Sequence, residues 1–377
     1  MNRTAPVTIG VPTEIKPDEN RVAVTAAGVR ACRDAGHDVL VQAGAGAGSW
    51  IEDAAYADAG ATIVDSAQEI WQRADVVVKV KEPQPAETAQ MREGQILFAY
   101  LHLAPDLEQA RGILDSGAVA VAFETIVDAQ GRLPLLAPMS QIAGRMSAQV
   151  GASLLEAPAG GRGILMGGVP GVAGAQVLVL GGGVVGSNAA RIASGMGAHV
   201  TVVDNNLGRL AQLDDLFGNA VDTRPSDALT IEKLLPTTDL VIGSVLVPGA
   251  RTPHLISRAQ LGLLRERTVV IDVAVDQGGC LETSRPTTHA DPTFVVDGVT
   301  HYCVGNMPGA VATTATHALA NATLPYVLRI AAGGTAALRD EADLAAGVNI
   351  ARGAVTYEAV ARAHGLPYTS VDVALAS

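Results

Sequence analysis

The stretch "LVLGGGVVGSNAARIASGMGAHVTVVDNN", residues 178–206, decides the fold. Gly181, Gly183 and Gly186 stand in G-x-G-x-x-G order, a weak signal alone in a chain with 41 glycines. The context strengthens it. "QVLVL" (176–180) reads as a strand before the glycines, and an Ala-rich helix follows from Val184 and Val185. "HVTVVD" then closes the unit on Asp204, 18 residues past Gly186. Gly181 allows the tight turn, Gly183 lets backbone approach a pyrophosphate, and Gly186 lets the helix pack close to the strand. The helix N-terminus then faces the phosphates. Asp204 suits a ribose 2′-OH and repels a 2′-phosphate. Asn205 and Asn206 follow it, with no adjacent Arg, so NAD is favoured over NADP. The competing reading is a purely structural glycine turn with Asp204 capping a strand end.

Outward from this unit, short β-branched runs alternate with Ala-rich helical stretches. Strands are expected at 199–203, 239–243, 268–273 and 293–296, with helices at 142–155, 184–196, 207–216 and 257–264. Gly144 and Gly151 permit close packing of the first of these helices. Before the fingerprint, strands at 7–12, 38–43, 75–80, 95–101 and 118–123 alternate with helices such as 25–36, 66–73 and 106–115. "GAGAGS" (44–49) lacks the third glycine of a fingerprint and reads as a flexible loop. The tail from Thr316 to Gly365 reads as helix broken at Gly333–Gly334. The expected fold is α/β: two doubly wound, parallel-sheet (Rossmann-like) domains with a cleft between them. Residues 135–312 form an NAD-binding domain inserted in a substrate and catalytic domain of 1–134 and 313–377.

The remaining composition narrows the function. Hydrophobic residues at 48% against 17% charged allow a large core and argue against disorder. The net charge of −12, without a basic cluster, makes nucleic acid an improbable partner. Cys32, Cys280 and Cys303 form no C-x-x-C pair, so they read as buried thiols of a reducing cytosol. The long apolar run 163–186 is interrupted by glycines, Pro170 and Gln176, unlike a membrane helix. A cytoplasmic protein is expected, with no membrane contact.

Polar residues gather where the early strands should end. Arg21 follows the first strand in "VPTEIKPDENRVAVT", Lys79 and Lys81 share one face in "VVVKVKEP", and His102 ends "QILFAYLH". Beyond strand ends is where open α/β sheets bind ligands. Arg can clamp a carboxylate, Lys supplies a point charge, and His titrates near neutrality. The plainer alternatives are a surface ion pair for Arg21, a solvated edge for Lys79 and a structural role for His102. In "TVVIDVAVDQGG" both Asp272 and Asp276 lie near a strand's carboxyl end, and the pattern does not choose between them.

Taken together, "GVPTEIKPDENRVAVTAAGV", "KVKEP", "ILFAYLHLA", "LPLLAPMSQIAGRMSAQVGA", "GGRGILMGGVPGV", the fingerprint, "VIGSVLVPGA", "VVIDVAVDQGGCLETSRPTTH" and "YCVGNMPGAV" resemble the alanine dehydrogenase family, which includes the NAD-binding part of transhydrogenases. They run in order over nearly the whole chain. The resemblance implies reversible, NAD-dependent oxidative deamination of L-alanine to pyruvate and ammonium. It implies that Arg21 and Lys81 bind substrate, that His102 is the acid/base residue, and that Asp276 rather than Asp272 is the second catalytic residue. Ser140, Asp204, Arg209, Ser226, Val245–Leu246, Val273, Asp276, Val304, Asn306 and Met307 would join the glycine turn in lining the NAD site. No metal is implied, and family members are commonly homohexamers. The alternatives are a dehydrogenase of another small amino acid or imine, and a non-catalytic NAD(H)-binding protein. The chain departs from the family pattern at Ala312, Thr313 and Ala315, where a helix should begin, and at Trp50, where a small residue is common.

Overall fold

The computed structural model describes residues 6–245 and 252–376. The strands of its first stretch are β1 (Thr8–Val11), β2 (Asp38–Gln42), β3 (Thr62–Val64), β4 (Val76–Val78), β5 (Ile96–Ala99) and β6 (Val119–Ala122). Next come β7 (Gln176–Leu180), β8 (His199–Asp204), β9 (Val221–Pro225), β10 (Leu240–Gly243), β11 (Val269–Asp272), β12 (Thr293–Val296) and β13 (Val299–Tyr302). Two more strands, β14 (Val348–Ala351) and β15 (Ala354–Val355), lie near the end of the chain. Contacts divide the molecule into one unit of residues 1–138 with 311–377 and another of 139–310.

The first unit holds the sheet β15-β14-β6-β5-β4-β1-β2-β3. From β3 to β6 every pairing is parallel. β5 and β6 are buried at every position, as central parallel strands covered on both faces must be. The helices between them start where their sequences place an oxygen to accept an orphan N–H. Thr25 caps Ala26–Asp34, Ser66 caps Ala67–Arg73, and Asp106 caps Leu107–Ser116.

The second unit holds β12-β13-β11-β10-β7-β8-β9, parallel except for β12 against β13. Both sheets reverse direction beside their first strand, between β1 and β4 and between β7 and β10. Those switch points are where an open α/β sheet leaves a crevice. The helix Ala137–Leu154 packs closely in this unit, because a Cβ at Gly144 would lie 2.2 Å from the Val185 carbonyl oxygen.

Two expectations need correction. Residues 348–355, read as part of a helical tail, form the antiparallel pair β14–β15 against β6. The β-branched Val348 and Ile350 fill a buried sheet position, and tertiary pairing overrides the Ala-rich surroundings. The segment 44–49 is no loose loop. It closes a 3₁₀ turn at Ala47–Ser49, and the buried Ser49 hydroxyl donates to the Asn20 carbonyl. The helix Ala312–Asp340 does begin at the departure from the family pattern, without a side-chain cap, and kinks at Gly334. Among the described residues no helix is long and apolar enough to cross a membrane.

Candidate active site

Every candidate side chain of the first unit sits past the carboxyl end of a strand. Arg21 lies on the segment after β1 and is only 2% exposed, which excludes a surface ion pair. Glu19 holds its guanidinium, accepting from Nε at 2.6 Å and also from Nη2. Burial pushes the Glu19 carboxyl up, but the hydrogen bonds and charge of Arg21 outweigh it and leave Glu19 below its ordinary range. The backbone on either side of Arg21 is fixed as well. Ser49 Oγ donates to the Asn20 carbonyl, and Val22 N–H donates to Thr316 Oγ1 at 3.0 Å. The Ser49 and Thr316 hydroxyls are themselves 2.7 Å apart.

Past β4 the two lysines have different surroundings. Lys79 does not line a solvated edge: it is 1% exposed, with Nζ 3.1 Å from Glu14 and 2.8 Å from Glu87. Burial alone would lower the Lys79 pKa, yet the two carboxylates raise it above the usual lysine value. Glu14 also accepts the Val80 N–H at 2.6 Å and the Lys81 N–H at 3.4 Å, so this buried cluster anchors the backbone that presents Lys81. The Lys81 pKa is lowered, first by burial and then by the nearby Arg21 charge.

His102 lies past β5 with a half-exposed side chain and a backbone φ of 47°. Its ring stacks parallel to Tyr100 at 5.9 Å between centroids. Tyr100 donates its hydroxyl to the Leu135 carbonyl at 2.6 Å, and burial raises its pKa.

The second unit carries the glycine turn. Gly181 has a φ of 95°, and Gly183 caps the helix Val184–Gly195. A Cβ at Gly186 would fall 1.9 Å from the Gly181 carbonyl oxygen, so no side chain fits there. At Gly183, by contrast, a Cβ would meet nothing within 4 Å. The protein thus needs Gly186 for its own packing, while the space over Gly183 and the helix N-terminus suits a pyrophosphate.

Asp204 ends β8 and accepts the Gly182 N–H at 2.7 Å and the Asn206 N–H at 2.8 Å. Arg209 donates Nε to the Gly182 carbonyl at 2.6 Å, and the Ser226 N–H donates to the Asp204 carbonyl. Asp204, Arg209 and Ser226 therefore converge on the glycine turn. Val245 follows β10 and packs at Gly181, while Leu246 lies outside the described residues. Ser140 is in the first turn of the helix Ala137–Leu154.

Asp272 and Asp276 separate clearly in the structure. Asp272 is buried, accepting from Cys280 N–H, Ser284 Oγ and Ala274 N–H, so it ties down the loop that starts at Val273. Asp276 is exposed. A Cβ at Gly305 would lie 2.9 Å from Asp276 Oδ1, which brings the carboxylate beside the run Val304, Asn306 and Met307.

The sequence reading missed Glu14, Glu19, Tyr100 and Glu124. A signal existed for each. Glu14 and Glu19 stand in the same segment as Arg21, and Glu124 follows a strand end just as His102 does.

Comparison with known proteins extends over nearly the whole chain. The family model described as Alanine dehydrogenase/PNT, N-terminal domain, matches residues 10–143, and that of the C-terminal domain matches 147–358. An alanine dehydrogenase of Halomonas elongata is 54% identical over 361 residues, covering 96% of this chain and 97% of its own. A solved L-alanine dehydrogenase superposes with a TM-score of 0.92 at 48% identity, covering 95% of this chain and 99% of its own. A transhydrogenase from Sinorhizobium meliloti follows at 0.79 and 25%, covering 93% and 99%.

Proposed function

The chain belongs to the alanine dehydrogenase/PNT family, and from that premise we propose that it is an NAD-dependent L-alanine dehydrogenase. It interconverts L-alanine with pyruvate and ammonium. The observation that carries this reading is the placement of a buried guanidinium, a desolvated ammonium and an imidazole past the ends of β1, β4 and β5. Residues 1–134 and 313–377 form the substrate and catalytic domain, and 135–312 the NAD-binding domain.

Arg21 binds the substrate carboxylate, its plane set by Glu19. Lys81 directs its ammonium to the carbonyl oxygen of pyruvate. The turn Gly181–Gly186 and the following helix N-terminus would hold the pyrophosphate of NAD, and Asp204 its ribose. Ser140, Arg209, Ser226, Val245, Val273, Val304, Asn306 and Met307 complete that site. When bound, NAD supplies the acceptor for the hydride that leaves the alanine Cα. His102 first takes a proton from the alanine ammonium, because hydride leaves only when the nitrogen lone pair can form the imine. Asp276 offers its carboxylate to the cationic imine. His102 releases that first proton to solvent. Water then adds to the imine carbon, and the neutral His102 takes a proton from it. His102 returns this proton to the nitrogen, the C–N bond breaks, and the departing ammonia takes the hydroxyl proton as ammonium while the carbonyl forms. Alanine, water and NAD thus give pyruvate, ammonium, NADH and one proton.

The direct test is NADH formation, followed by absorbance, with L-alanine and a panel of small amino acids. Absence of turnover across alkaline pH, with NAD binding intact, overturns the proposal. Turnover only with another amino acid reassigns the substrate.

Two further outcomes follow. Asp204→Ala should lower kcat/KM for NAD about 10–100-fold, the range for a hydrogen bond to a charged group. Asp204 also anchors Gly182, so the deciding readout is the NAD/NADP ratio, which that anchoring does not set. An unchanged ratio refutes the ribose role. Lys81 should make pyruvate binding pH-dependent. Its ammonium is present below its pKa and lost above it, and burial places that pKa below the usual lysine value. KM for pyruvate should therefore rise about 10–100-fold as pH climbs through that range. Lys81→Arg, charged throughout, should flatten the rise.

We propose a cytoplasmic location, which the three buried free cysteines support, and a homohexamer. Leu165, Val169, Val172 and Met196, each at least 41% exposed, support burial against further copies of the chain. Light scattering of the purified protein gives the copy number.

A further inference from the structure

His102 is the residue that moves protons in the proposed reaction, and its backbone lies in the left-handed region, uncommon for a residue with a side chain. The surroundings hold it there. Parallel pairing of β5 with β6 sets Ala99 opposite Ala122, so the chain just past β6 runs beside residues 101 and 102. Glu124, in the turn Phe123–Thr125, uses this register. Its Oε1 accepts the His102 N–H at 2.6 Å and the Leu101 N–H at 3.1 Å. The same oxygen lies 3.7 Å from His102 Nδ1. The other end of the peptide between residues 101 and 102 is held too, since Gln109 Nε2 donates to the Leu101 carbonyl at 2.9 Å. Leu101 and Leu103 are buried on either side, and His364 Nε2 lies 2.8 Å from the Leu103 carbonyl. One side chain in three consecutive residues is left to project, and its ring lies against Tyr100.

We infer that Glu124 is a positioning residue of the reaction: by accepting the N–H groups of Leu101 and His102 it fixes the left-handed turn that aims the imidazole. Gln109 holds the same peptide from its carbonyl side. The inference rests on His102 being the acid/base residue. A catalytic group acts only when held near its productive geometry, and a misplacement of about 1 Å costs roughly 10²-fold. The bond to two N–H groups needs an acceptor oxygen, which an amide also provides.

The test is a double-mutant cycle on the full-length enzyme, with kcat and KM for L-alanine and NAD. Glu124→Ala should lower kcat by about 10²-fold and leave both KM values within about threefold. Glu124→Gln should restore kcat to within about threefold of the parent. In a His102→Ala background, Glu124→Ala should cost less than about twofold, because residues acting as a unit are not additive. A role in stability alone would cost the same in both backgrounds, and that result overturns the inference, as does a parental kcat in Glu124→Ala. If Glu124→Ala does not fold, Gln109→Ala replaces it in the same cycle, with a loss that must also vanish when His102 is absent. A His102→Ala enzyme with parental kcat would instead refute the role of His102.

Discussion

Replacing His102 with alanine is expected to lower kcat for alanine oxidation about 10²–10⁴-fold, the usual contribution of a positioned acid/base group. The expectation comes from chemistry and geometry together. Two steps, deprotonation of the substrate ammonium and activation of water, need a group that takes up and returns protons near neutral pH. His102 is half exposed among buried neighbours, so its ring is open to solvent where Leu101 and Leu103 are not. NAD affinity should not change, because the glycine turn and Asp204 belong to the other unit. Pre-steady-state kinetics would place the loss in the chemical step. Near-parental turnover would reduce His102 to a structural residue and leave the reaction without a base.

The second large effect is on stability. Lys79→Met should destabilise the first unit by about 3–5 kcal/mol, because it leaves Glu14 and Glu87 buried without their cation. For a unit of about 200 residues, that corresponds to a fall in Tm of roughly 6–20 °C. A buried carboxylate with no partner takes up a proton or draws in water, and both loosen the segment that carries Lys81. Adding Glu14→Gln should recover part of the loss, since one unpaired charge is gone. Thermal melting of the single and double variants checks this. A Lys79→Met protein as stable as its parent would mean that water already screens the cluster.

The contrast between the two lysines shows what sequence can and cannot convey. Alternation placed Lys79 and Lys81 on one face, and nothing in the pattern separated them. Only three-dimensional packing brings Glu14, 65 residues away, onto Lys79. The parallel sheets and the glycine turn were legible because periodicity and turn chemistry are local. The pair β14–β15 was not, because its strands take their identity from β6, more than 200 residues earlier in the chain. Arg21, Lys81 and His102 were legible as polar residues at strand ends. Their supports were not: Glu19, Thr316 and Glu124 act through hydrogen bonds to backbone and guanidinium groups that no spacing rule records. Asp272 and Asp276 looked alike until burial separated an internal anchor from an exposed carboxylate.

The matching strand orders of the two sheets have a bearing on how many cofactors one chain can carry. Both sheets reverse beside their first strand, so both possess the crevice that dinucleotides use in this architecture. In the second sheet a helix N-terminus opens there. In the first, the chain runs on from Val11 to Glu14, whose carboxylate crosses the reversal to accept the Val80 N–H past β4. The molecule thus fills that position with an anion of its own, tethered by Lys79. A pyrophosphate would find the backbone donor taken and a like charge in its place. The saturation stoichiometry expected is accordingly one dinucleotide per chain, with the duplicated scaffold divided between a half open to a foreign anion and a half that has internalised one.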